Sequence, residues 1–485
     1  MTMQEKKGAV STMKALQKIM HMHASERKSP GRHSFWKCCT AAVLIVVLAA
    51  GAFLPSSVQM HASARTIAKA KYPKMAAYPD ESAYIKESGD FDNDGFSKAY
   101  DAWNKSRRRQ LDQPEGYADG LESFYRKSMR QFLSGAKNSN RIYSPLNVYM
   151  ALGMLAELTA KDSRGQVLDL LGSKNIKALR TQASALWNAN YCDDGAVSSI
   201  LASSLWLRND MKYKQSALDQ IADTYYASSY RGKMGSDSLN KAFQSWLNKQ
   251  TGGLLKKQAA QVELSSDTIL ALATTIYFRA KWHNEFSKSS TVQDVFHAKG
   301  GDIKCDFMHQ SDVKNYCWGS KFTAAAQSLE NSGAMWFILP KKGTSVDELL
   351  ADRQLTEFIL AGDSWKNSRN VQLNLSVPKF DVDSSLDLKE GLKKMGVTDV
   401  FDSKVSDFTP VSSLQGIYVS KAFHDVRVKI DEEGCSAAAY TVMAMDAGGI
   451  PVSGDEVDFV LDRPFLFVIT GASAQPLFIG VVNQP

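Results

Sequence analysis

The sequence predicts an α+β domain. Amphipathic helical patterns come first in the folded region, and strand patterns dominate its last part. The chain has 485 residues, 44% of them hydrophobic, so it can bury a large core. It shows neither internal repeats nor low-complexity tracts, which argues against a solenoid and against a disordered protein.

Residues 1–64 are expected to be a signal peptide or an uncleaved signal anchor. Eight basic and two acidic residues precede the uncharged apolar segment 41–54, which is short for a membrane span but suits a signal-peptide core. Ala62, Ser63 and Ala64 supply a small-x-small cleavage pattern. Because the basic end stays inside, we expect a secreted body, or a body anchored at the cell surface if the segment is uncleaved.

The net charge of the chain is +7, and the first 64 residues contribute +6 of it. The remaining chain is nearly neutral, so it lacks the basic surface that nucleic-acid-binding proteins present. Nucleic acid is therefore not expected as a partner. A membrane is expected as a partner only if the N-terminal segment remains uncleaved.

Residues 65–115 are polar and contain three prolines, so we interpret them as an extension or linker ahead of the main domain. Within them, residues 90–95 read Asp-Phe-Asp-Asn-Asp-Gly, and Asp101 stands at the twelfth position counted from Asp90, as in a calcium-binding loop. Lys98 at the ninth position and an Asp in place of the bidentate Glu argue against calcium. An acidic exposed linker is the favoured alternative.

The main domain is expected over residues 116–485. Apolar residues at helical spacing indicate a first helix at 120–133, and a second helix is expected to begin at Pro145, since proline is favoured at a helix start. Two more helices are expected near 214–228 and 239–250. Strands are expected at residues 199–207, 269–278, 335–339, 371–377, 426–430, 457–461, 465–470 and 477–482.

Four of the six cysteines lie in the exported part of the chain. Cys305 and Cys317 flank a polar stretch that reads as a hairpin tip, and on two facing strands they would lie opposite each other. A disulfide between them is left open. The cysteines and histidines show no zinc-ligand spacing, and neither a metal nor a cofactor is expected.

One segment departs from the strand pattern around it. After the alternating strand 426–430 come three acidic residues, Gly434, Cys435, a serine and then three consecutive alanines, which favour helix over strand. Residues 446–455 are polar and turn-like, and are therefore expected to be exposed. Taken alone, the segment would be an ordinary surface loop.

Several motifs in this chain resemble those of the serpin family and follow in the family's order. The stretch 430–441, an acidic pair and a glycine followed by small residues, resembles the serpin hinge. The other similar stretches are 140–145 with Ala151 and Leu152, 274–282 with Phe286, 377–380, Asp407 with Phe408, 462–467 and 476–480. Each motif is weak alone, but together they span residues 116–485, and the chain resembles a secreted serpin of bacterial type.

The resemblance implies a fold of helices packed around three β-sheets, with an exposed reactive-centre loop at about residues 432–456. It implies a suicide-substrate inhibitor of serine proteases and not an enzyme. A target protease attacks the loop and forms an acyl-enzyme, after which the cut loop inserts into the largest sheet as a new strand. The expected partner is that protease, in covalent complex, and the inhibitor itself is expected to be a monomer.

The resemblance also implies which residues form the hinge. They are Glu432, Glu433, Gly434, Cys435, Ser436, Ala437, Ala438, Ala439 and Thr441. Alternation along an inserted strand would place Cys435 and every second residue after it on the inner face, and all the early ones are small, as insertion requires. Tyr440 replaces the family's usual alanine but falls on the outer face. Cys435 replaces a usual threonine or serine and is oxidisable, which raises redox sensitivity as an expectation.

A second group of residues matches the region where the family's sheet opens. It comprises Ser144, Asn147, Thr274, Trp282 and His424. Thr274 replaces the family's asparagine, so we expect a weaker polar network around His424, for which neither a metal-binding nor a catalytic role is expected. Trp282 matches a tryptophan at the top of the sheet, where the loop enters, with ordinary core packing as the alternative.

Counting from Glu432 in the family's usual way places the cleaved bond between Gly448 and Gly449. The loop is long for the family, so the bonds from Met445 to Pro451 stay open, although cleavage between Ile450 and Pro451 is disfavoured. That window contains neither Arg nor Lys, which argues against a trypsin-like target. Its small and medium apolar residues suit an elastase- or subtilisin-like protease.

Two other functions remain open from the sequence. A serpin fold without inhibition, serving as a carrier or chaperone, would be favoured by bulky or charged hinge residues, whereas those found here are small. A secreted hydrolase is the remote alternative, because the chain lacks the Gly-x-Ser-x-Gly, His-Glu-x-x-His and Gly-x-x-x-x-Gly-Lys motifs.

Overall fold

The structure is a computed structural model that describes residues 64–435 and 455–485. Its helices are α1 (Asn93–Leu111), α2 (Glu122–Leu133), α3 (Pro145–Leu158), α4 (Lys161–Leu171), α5 (Ile176–Asn190), α6 (Gln215–Thr224), α7 (Asp237–Gln250), α8 (Lys256–Ala259), α9 (Val346–Leu350), α10 (Arg353–Ala361) and α11 (Leu388–Lys394). Its strands are β1 (Ala64–Ala68), β2 (Arg141–Tyr143), β3 (Cys192–Asp193), β4 (Ser198–Arg208), β5 (Ala227–Gly232), β6 (Leu270–Lys281), β7 (Val292–Ala298), β8 (Gly301–Trp318), β9 (Phe322–Ser328), β10 (Ala334–Pro340), β11 (Ser368–Pro378), β12 (Phe380–Asp387), β13 (Val419–Ile430), β14 (Gly434–Cys435), β15 (Glu456–Val460), β16 (Phe465–Thr470) and β17 (Pro476–Val482).

The α+β class is confirmed, and each helix and strand expected from the sequence pattern has a counterpart. Helix α3 lies at the centre and shows why the chain folds as it does. Its fourteen residues are all buried, and it begins as expected at Pro145, with Ser144 as the N-cap residue that accepts a hydrogen bond from the amide of Asn147. A helix that is apolar on every side is stable only inside a large core.

The strands form two hydrogen-bonded sheets. Sheet 1 has the order β1-β5-β4-β6-β14-β13-β12, with β3 attached to β4. Sheet 2 has the order β15-β11-β8-β9-β10-β16-β17-β2, with β7 attached to β8. Helix α7 covers one face of sheet 1, where the Phe243 ring packs against Trp206 and Phe423, while helix α3 packs against the other face.

Residues 64–435 and 455–485 form two sheets, and not the expected three, because strand β8 is continuous over 18 residues. Its first part pairs with β7 and its middle with β11, and its last residues, 316–318, pair with β9. The long strand therefore joins two groups of strands into one sheet. The same strand excludes the disulfide left open above, because Cys305 and Cys317 both lie on β8, twelve residues and roughly 40 Å apart.

The segment 65–115 is folded against the domain and is not a linker. Strand β1 extends sheet 1 by pairing with β5, and the Tyr72 ring lies 5.4 Å from that of Trp187 on helix α5. On helix α1, the indole of Trp103 is buried and donates to Asp194 Oδ2 at 3.1 Å. The sequence misses this arrangement because the buried aromatic side chains are scattered among polar ones, and only their partners in the domain reveal a common face.

The candidate calcium loop is also contradicted. Helix α1 begins at Asn93, the fourth position of that loop, so the following positions are wound into a helix and do not surround one ion. The carboxylate of Asp92 instead lies 3.6 Å from the Lys86 ammonium. Within residues 64–435 and 455–485, no cluster of three or more His, Cys, Asp or Glu side chains is arranged to hold a metal ion.

Candidate functional site: the parting strands of sheet 1

The functional candidate is the place where two parallel strands of sheet 1 separate. Strands β6 and β13 pair directly at their lower ends, from Leu270 with Val419 to Thr275 with Asp425. Beyond that point, residues 276–279 and 426–429 are not paired with each other. At the top, the two residues of β14 lie between the strands, antiparallel to both. The strands are thus already parted where the predicted hinge begins.

Strand β14 fits this place because its residues are small. A Cβ atom on Gly434 would lie 2.5 Å from the carbonyl oxygen of Ala280, so no other residue fits without moving the strand. Cys435 pairs with Ala280 and Ile430 and is only 2% exposed. Its side chain lies in the buried core.

In this conformation the thiol of Cys435 is buried. Burial, and secondarily the charge of Asp431, raise the pKa of its thiol to about 12. A buried, protonated thiol is a poor target for oxidants, since the thiolate is the reactive form. The redox sensitivity expected from the sequence therefore requires that β14 first leave the sheet.

Backbone hydrogen bonds fix the base of the hinge to the turn that follows β6. The Trp282 amide donates to the carbonyl of Glu433 at 3.1 Å, and the Phe286 amide donates to the carbonyl of Glu432 at 2.9 Å. The buried Trp282 indole adds a bond of 2.8 Å from Nε1 to the carbonyl of Asp431. Trp282 therefore lies at the top of sheet 1 and contacts the hinge directly.

The side chains of the two hinge glutamates also bind residues close to the top of sheet 1. Glu432 Oε1 accepts from Thr291 Oγ1 at 2.8 Å and from Lys379 Nζ at 3.1 Å. Burial alone would raise the pKa of Glu432, but hydrogen bonds from the backbone and from these two side chains lower it below its usual value. Glu433 Oε1 binds Lys288 Nζ at 2.6 Å, which lowers the pKa of Glu433.

Thr291, Lys379 and Lys288 are hinge partners that sequence reasoning missed. They lie between 53 and 145 positions away from the glutamates along the chain. No local pattern marks a lysine or threonine as the partner of a distant carboxylate. Only the fold brings them together.

Below the parting point, His424 is completely buried between sheet 1 and helix α3. The Ser144 backbone amide donates to Nε2 at 2.8 Å, so this nitrogen carries no proton, and Nδ1 donates to Thr274 Oγ1 at 3.2 Å. Burial lowers the pKa of His424 to about 3, which keeps the ring neutral. Three of the four residues expected in the polar cluster are thus in contact.

Asn147, the fourth, contributes through its backbone and not through its side chain. Its amide N–H caps helix α3 by donating to Ser144 Oγ at 3.3 Å. Its side-chain Oδ1 and Nδ2 are buried, and neither has a hydrogen-bond partner among the described residues. The described network around His424 therefore consists of its bonds to Ser144 and Thr274.

After the loop, the described residues resume at Asp455. The carboxylate of Asp455 lies 2.6 Å from Arg369 Nη1. Strand β15 then pairs in parallel with β11 at the edge of sheet 2. The remaining predicted site residues lie outside the described residues: Ser436, Ala437, Ala438, Ala439, Thr441, Gly448 and Gly449. Nineteen residues, 436–454, connect the two ends.

This geometry is a sheet that is open at the top, with the start of a loop seated in the opening. The family model for serpins (serine protease inhibitors) matches residues 120–485. The chain belongs to the serpin family. Serpins are mostly protease inhibitors and not catalytic enzymes.

Curated relatives align over most of their length. This serpin is 28% identical over 369 residues to Serpin-ZX of Arabidopsis thaliana, which covers 72% of this chain and 93% of that protein. It is 26% identical over 380 residues to plasminogen activator inhibitor 1 of Mus musculus, covering 74% and 90%.

Solved structures confirm the serpin fold. The native state of the thermophilic serpin tengpin superposes with a TM-score of 0.67 at 24% identity, covering 77% of this chain and 95% of that one. Thyroxine-binding globulin in complex with thyroxine superposes with a TM-score of 0.66 at 21% identity, covering 75% and 98%. In the part of the chain that the structure describes, no helix is both long and apolar enough to cross a membrane.

Proposed function

We propose that this serpin inhibits a serine protease as a suicide substrate, by inserting its cut loop between strands β6 and β13. The observation that carries the proposal is the position of β14. Gly434 pairs with β6, and Cys435 pairs with both β6 and β13, which supports β14 as the start of a new central strand. The residues that follow are small in the sequence, and small side chains enter a closing sheet most easily.

The chemistry would be that of an interrupted proteolysis. The protease serine Oγ attacks the carbonyl carbon of the residue before the cut bond, and its proton passes through the histidine base to the leaving amine. The peptide C–N bond breaks and an ester joins the loop to the protease. Insertion then carries the ester-bound protease away before water completes hydrolysis, so one inhibitor consumes one protease.

The pairing register limits where the bond can be cut. Gly434 pairs with Lys281 and Cys435 with Ala280, so each later residue would pair one position further down β6. Leu270 is the first residue of β6 and lies furthest from the hinge. An inserted strand that extends as far as Leu270 needs the residues up to 445. We therefore propose a bond beyond that residue, within Met445–Pro451, with Gly448–Gly449 as the first candidate.

The targets we propose are elastase- or subtilisin-like proteases outside the cell. The candidate window holds only small, medium apolar and acidic residues, which do not suit a pocket that requires a positive side chain. Export follows from the basic and apolar segment at residues 1–64, with anchoring at the cell surface if that segment is uncleaved.

The test is incubation of the protein with a panel of purified elastase-, subtilisin-, chymotrypsin- and trypsin-like proteases. We expect an SDS-stable complex with at least one of the first three, and mass spectrometry of the released C-terminal peptide then identifies the cut bond. A peptide that begins at Gly449 is the expected product. Clean loop cleavage by every enzyme, with no covalent complex, would contradict the proposal.

A carrier function is the second candidate, because the fold is shared with thyroxine-binding globulin bound to thyroxine. Such a function does not require the loop to enter the sheet. Loop cleavage without trapping, together with binding of a small hydrophobic ligand, would favour it.

A further inference from the structure

Two buried side chains at the point where strands β6 and β13 part lack hydrogen-bond partners. Thr275 and Asp425 are register partners, at the last pair before the strands separate, and they are 0% and 3% exposed. Among the described residues, neither Thr275 Oγ1 nor one carboxylate oxygen of Asp425, Oδ1, has a hydrogen-bond partner. Buried polar atoms without partners are rare and costly, so their position at the opening of the sheet requires an explanation.

The Asp425 carboxylate lies on the face of sheet 1 that helix α7 covers. The Phe423 ring packs against Phe243 of that helix, and side chains two positions apart on a strand share a face. On the adjacent strand β12, Ser385 is the register partner of Asp425 and donates a hydrogen bond to its carboxylate. The oxygen Oδ1 is left without a donor among the described residues.

The cations on this face of β13 are bound elsewhere and do not neutralise Asp425. Arg427 Nη2 lies 2.6 Å from Asp381 Oδ2. Lys421 Nζ donates to the carbonyl of Glu263 at 3.1 Å. The charged side chains of the covering helices α7 and α8 are exposed: Asp237, Lys241, Lys249, Lys256 and Lys257.

The other titratable neighbours add no positive charge. On β12, the carboxylate of Asp383 opposes ionisation of Asp425 by like-charge repulsion. On β6, the next side chain on this face is Tyr277, a phenol that is neutral at neutral pH, and His424 on the opposite face is neutral as well. Burial is the main cause that raises the pKa of Asp425 above its usual value, in spite of the hydrogen bond from Ser385.

We propose that Asp425 controls the opening of sheet 1 through its charge: the ionised carboxylate favours separation of β6 from β13, and the protonated carboxyl favours their contact. Separation of Thr275 from Asp425 opens the buried site, so water can hydrate the oxygen that has no partner in the closed sheet. A neutral carboxyl gains much less from hydration than a charged one. The strands should therefore part more readily at neutral than at acidic pH.

This inference deepens the proposed function, and its consequence for inhibition rests on that function. Insertion requires the paired residues 270–275 and 419–425 to separate, and their separation begins at the pair of Thr275 with Asp425. A cost that is present in the closed sheet and relieved on opening lowers the barrier to insertion. Inhibition should therefore be more efficient when Asp425 is ionised.

The experiment compares the uncut wild type with Asp425→Asn, whose side chain has the same shape but no charge, in guanidinium chloride between pH 4 and pH 7.5. Because the pKa of Asp425 is higher in the folded protein, the cost of its ionisation is absent below the ordinary Asp pKa of about 3.9 and grows as the pH rises towards the folded-state value. We expect the ratio of the unfolding equilibrium constants, wild type over Asp425→Asn, to rise about tenfold over this range, within the cost of a buried polar group without a partner. The contribution of His424 is common to both proteins and cancels. The matched control is Asp363→Asn, which removes an exposed carboxylate and should give a constant ratio.

A second measurement follows the number of inhibitor molecules consumed for each protease molecule inactivated. At pH 7.5 we expect Asp425→Asn to consume more inhibitor than the wild type, because its sheet opens more slowly while acylation continues. The two numbers should converge as the pH is lowered and Asp425 of the wild type becomes protonated.

The outcomes separate the two claims. A ratio of unfolding constants that does not change with pH, or a change that Asp363→Asn reproduces, overturns the inference whether or not a protease is trapped. Equal consumption of inhibitor by the wild type and Asp425→Asn at pH 7.5 would show that the charge does not control opening, and would equally overturn it. If the wild type traps no protease, the proposed function fails, whereas a ratio that rises with pH still supports the charge of Asp425 as a cost of the closed sheet.

Discussion

Arginine at Ala437 should convert this inhibitor into a substrate. In the proposed inserted form, continuing the register of β14 would place Ala437 opposite Phe278, which is 4% exposed, and on the same face as Cys435. A guanidinium buried there without a partner costs several kcal/mol. If about 3 kcal/mol of this cost is felt in the slowest step of insertion, insertion slows by about 100-fold, since each 1.4 kcal/mol is a factor of ten.

The assay is the number of inhibitor molecules consumed for each protease molecule inactivated. That number equals one plus the ratio of the deacylation rate to the insertion rate, so slower insertion raises it while acylation continues. Ala438→Arg is the matched control, because its side chain would lie on the opposite face, beside Tyr277. Equal damage from both variants would refute the assignment of faces. An unchanged number for both would refute insertion as the mechanism.

Three further predictions follow from the described contacts. The pKa of His424 is about 3, below its usual 6.5, so the unfolded chain binds more protons than the folded protein between these pH values. The free energy of unfolding should therefore fall by about 1.4 kcal/mol per pH unit as the pH drops below 6.5. Urea denaturation of His424→Gln should lack this contribution. Gly434→Ala should push β14 out of the sheet, which mass spectrometry would detect as faster alkylation of Cys435 by iodoacetamide; a rate equal to that of wild type would contradict the packing argument. Trp103→Ala should lower the unfolding free energy by about 3–5 kcal/mol in urea, whereas the exposed Lys105→Ala on the same helix should change it by less than about 0.5 kcal/mol, and equal effects would show that helix α1 is not part of the folded domain.

Most helices and strands follow from the sequence because their patterns are local. Pro145 and the apolar run after it predict helix α3, and short β-branched segments predict the last strands. The contact of His424 with Ser144 and Thr274 was also expected, but through the family resemblance and not through spacing. Local periodicity carries no information on which distant residues meet.

The errors share that origin. The polar stretch between Cys305 and Cys317 is typical of a hairpin tip, whereas strand β8 continues straight through it. The polar composition of segment 65–115 predicts an extension or linker, yet Trp103 is buried and Tyr72 is partly buried against the domain. In both cases the deciding contacts come from other parts of the chain, which composition does not reveal.

The central claim is that the cut loop becomes a strand between β6 and β13. Hydrogen–deuterium exchange of the intact and the loop-cut protein tests it most directly, because the facing edges of residues 276–279 and 426–429 are not paired with each other in the uncut form. We predict that amides in both segments become markedly more protected after the cut, while those of β16 and β17 in sheet 2 do not change. Unchanged protection of 276–279 and 426–429 in fully cut protein would contradict the account.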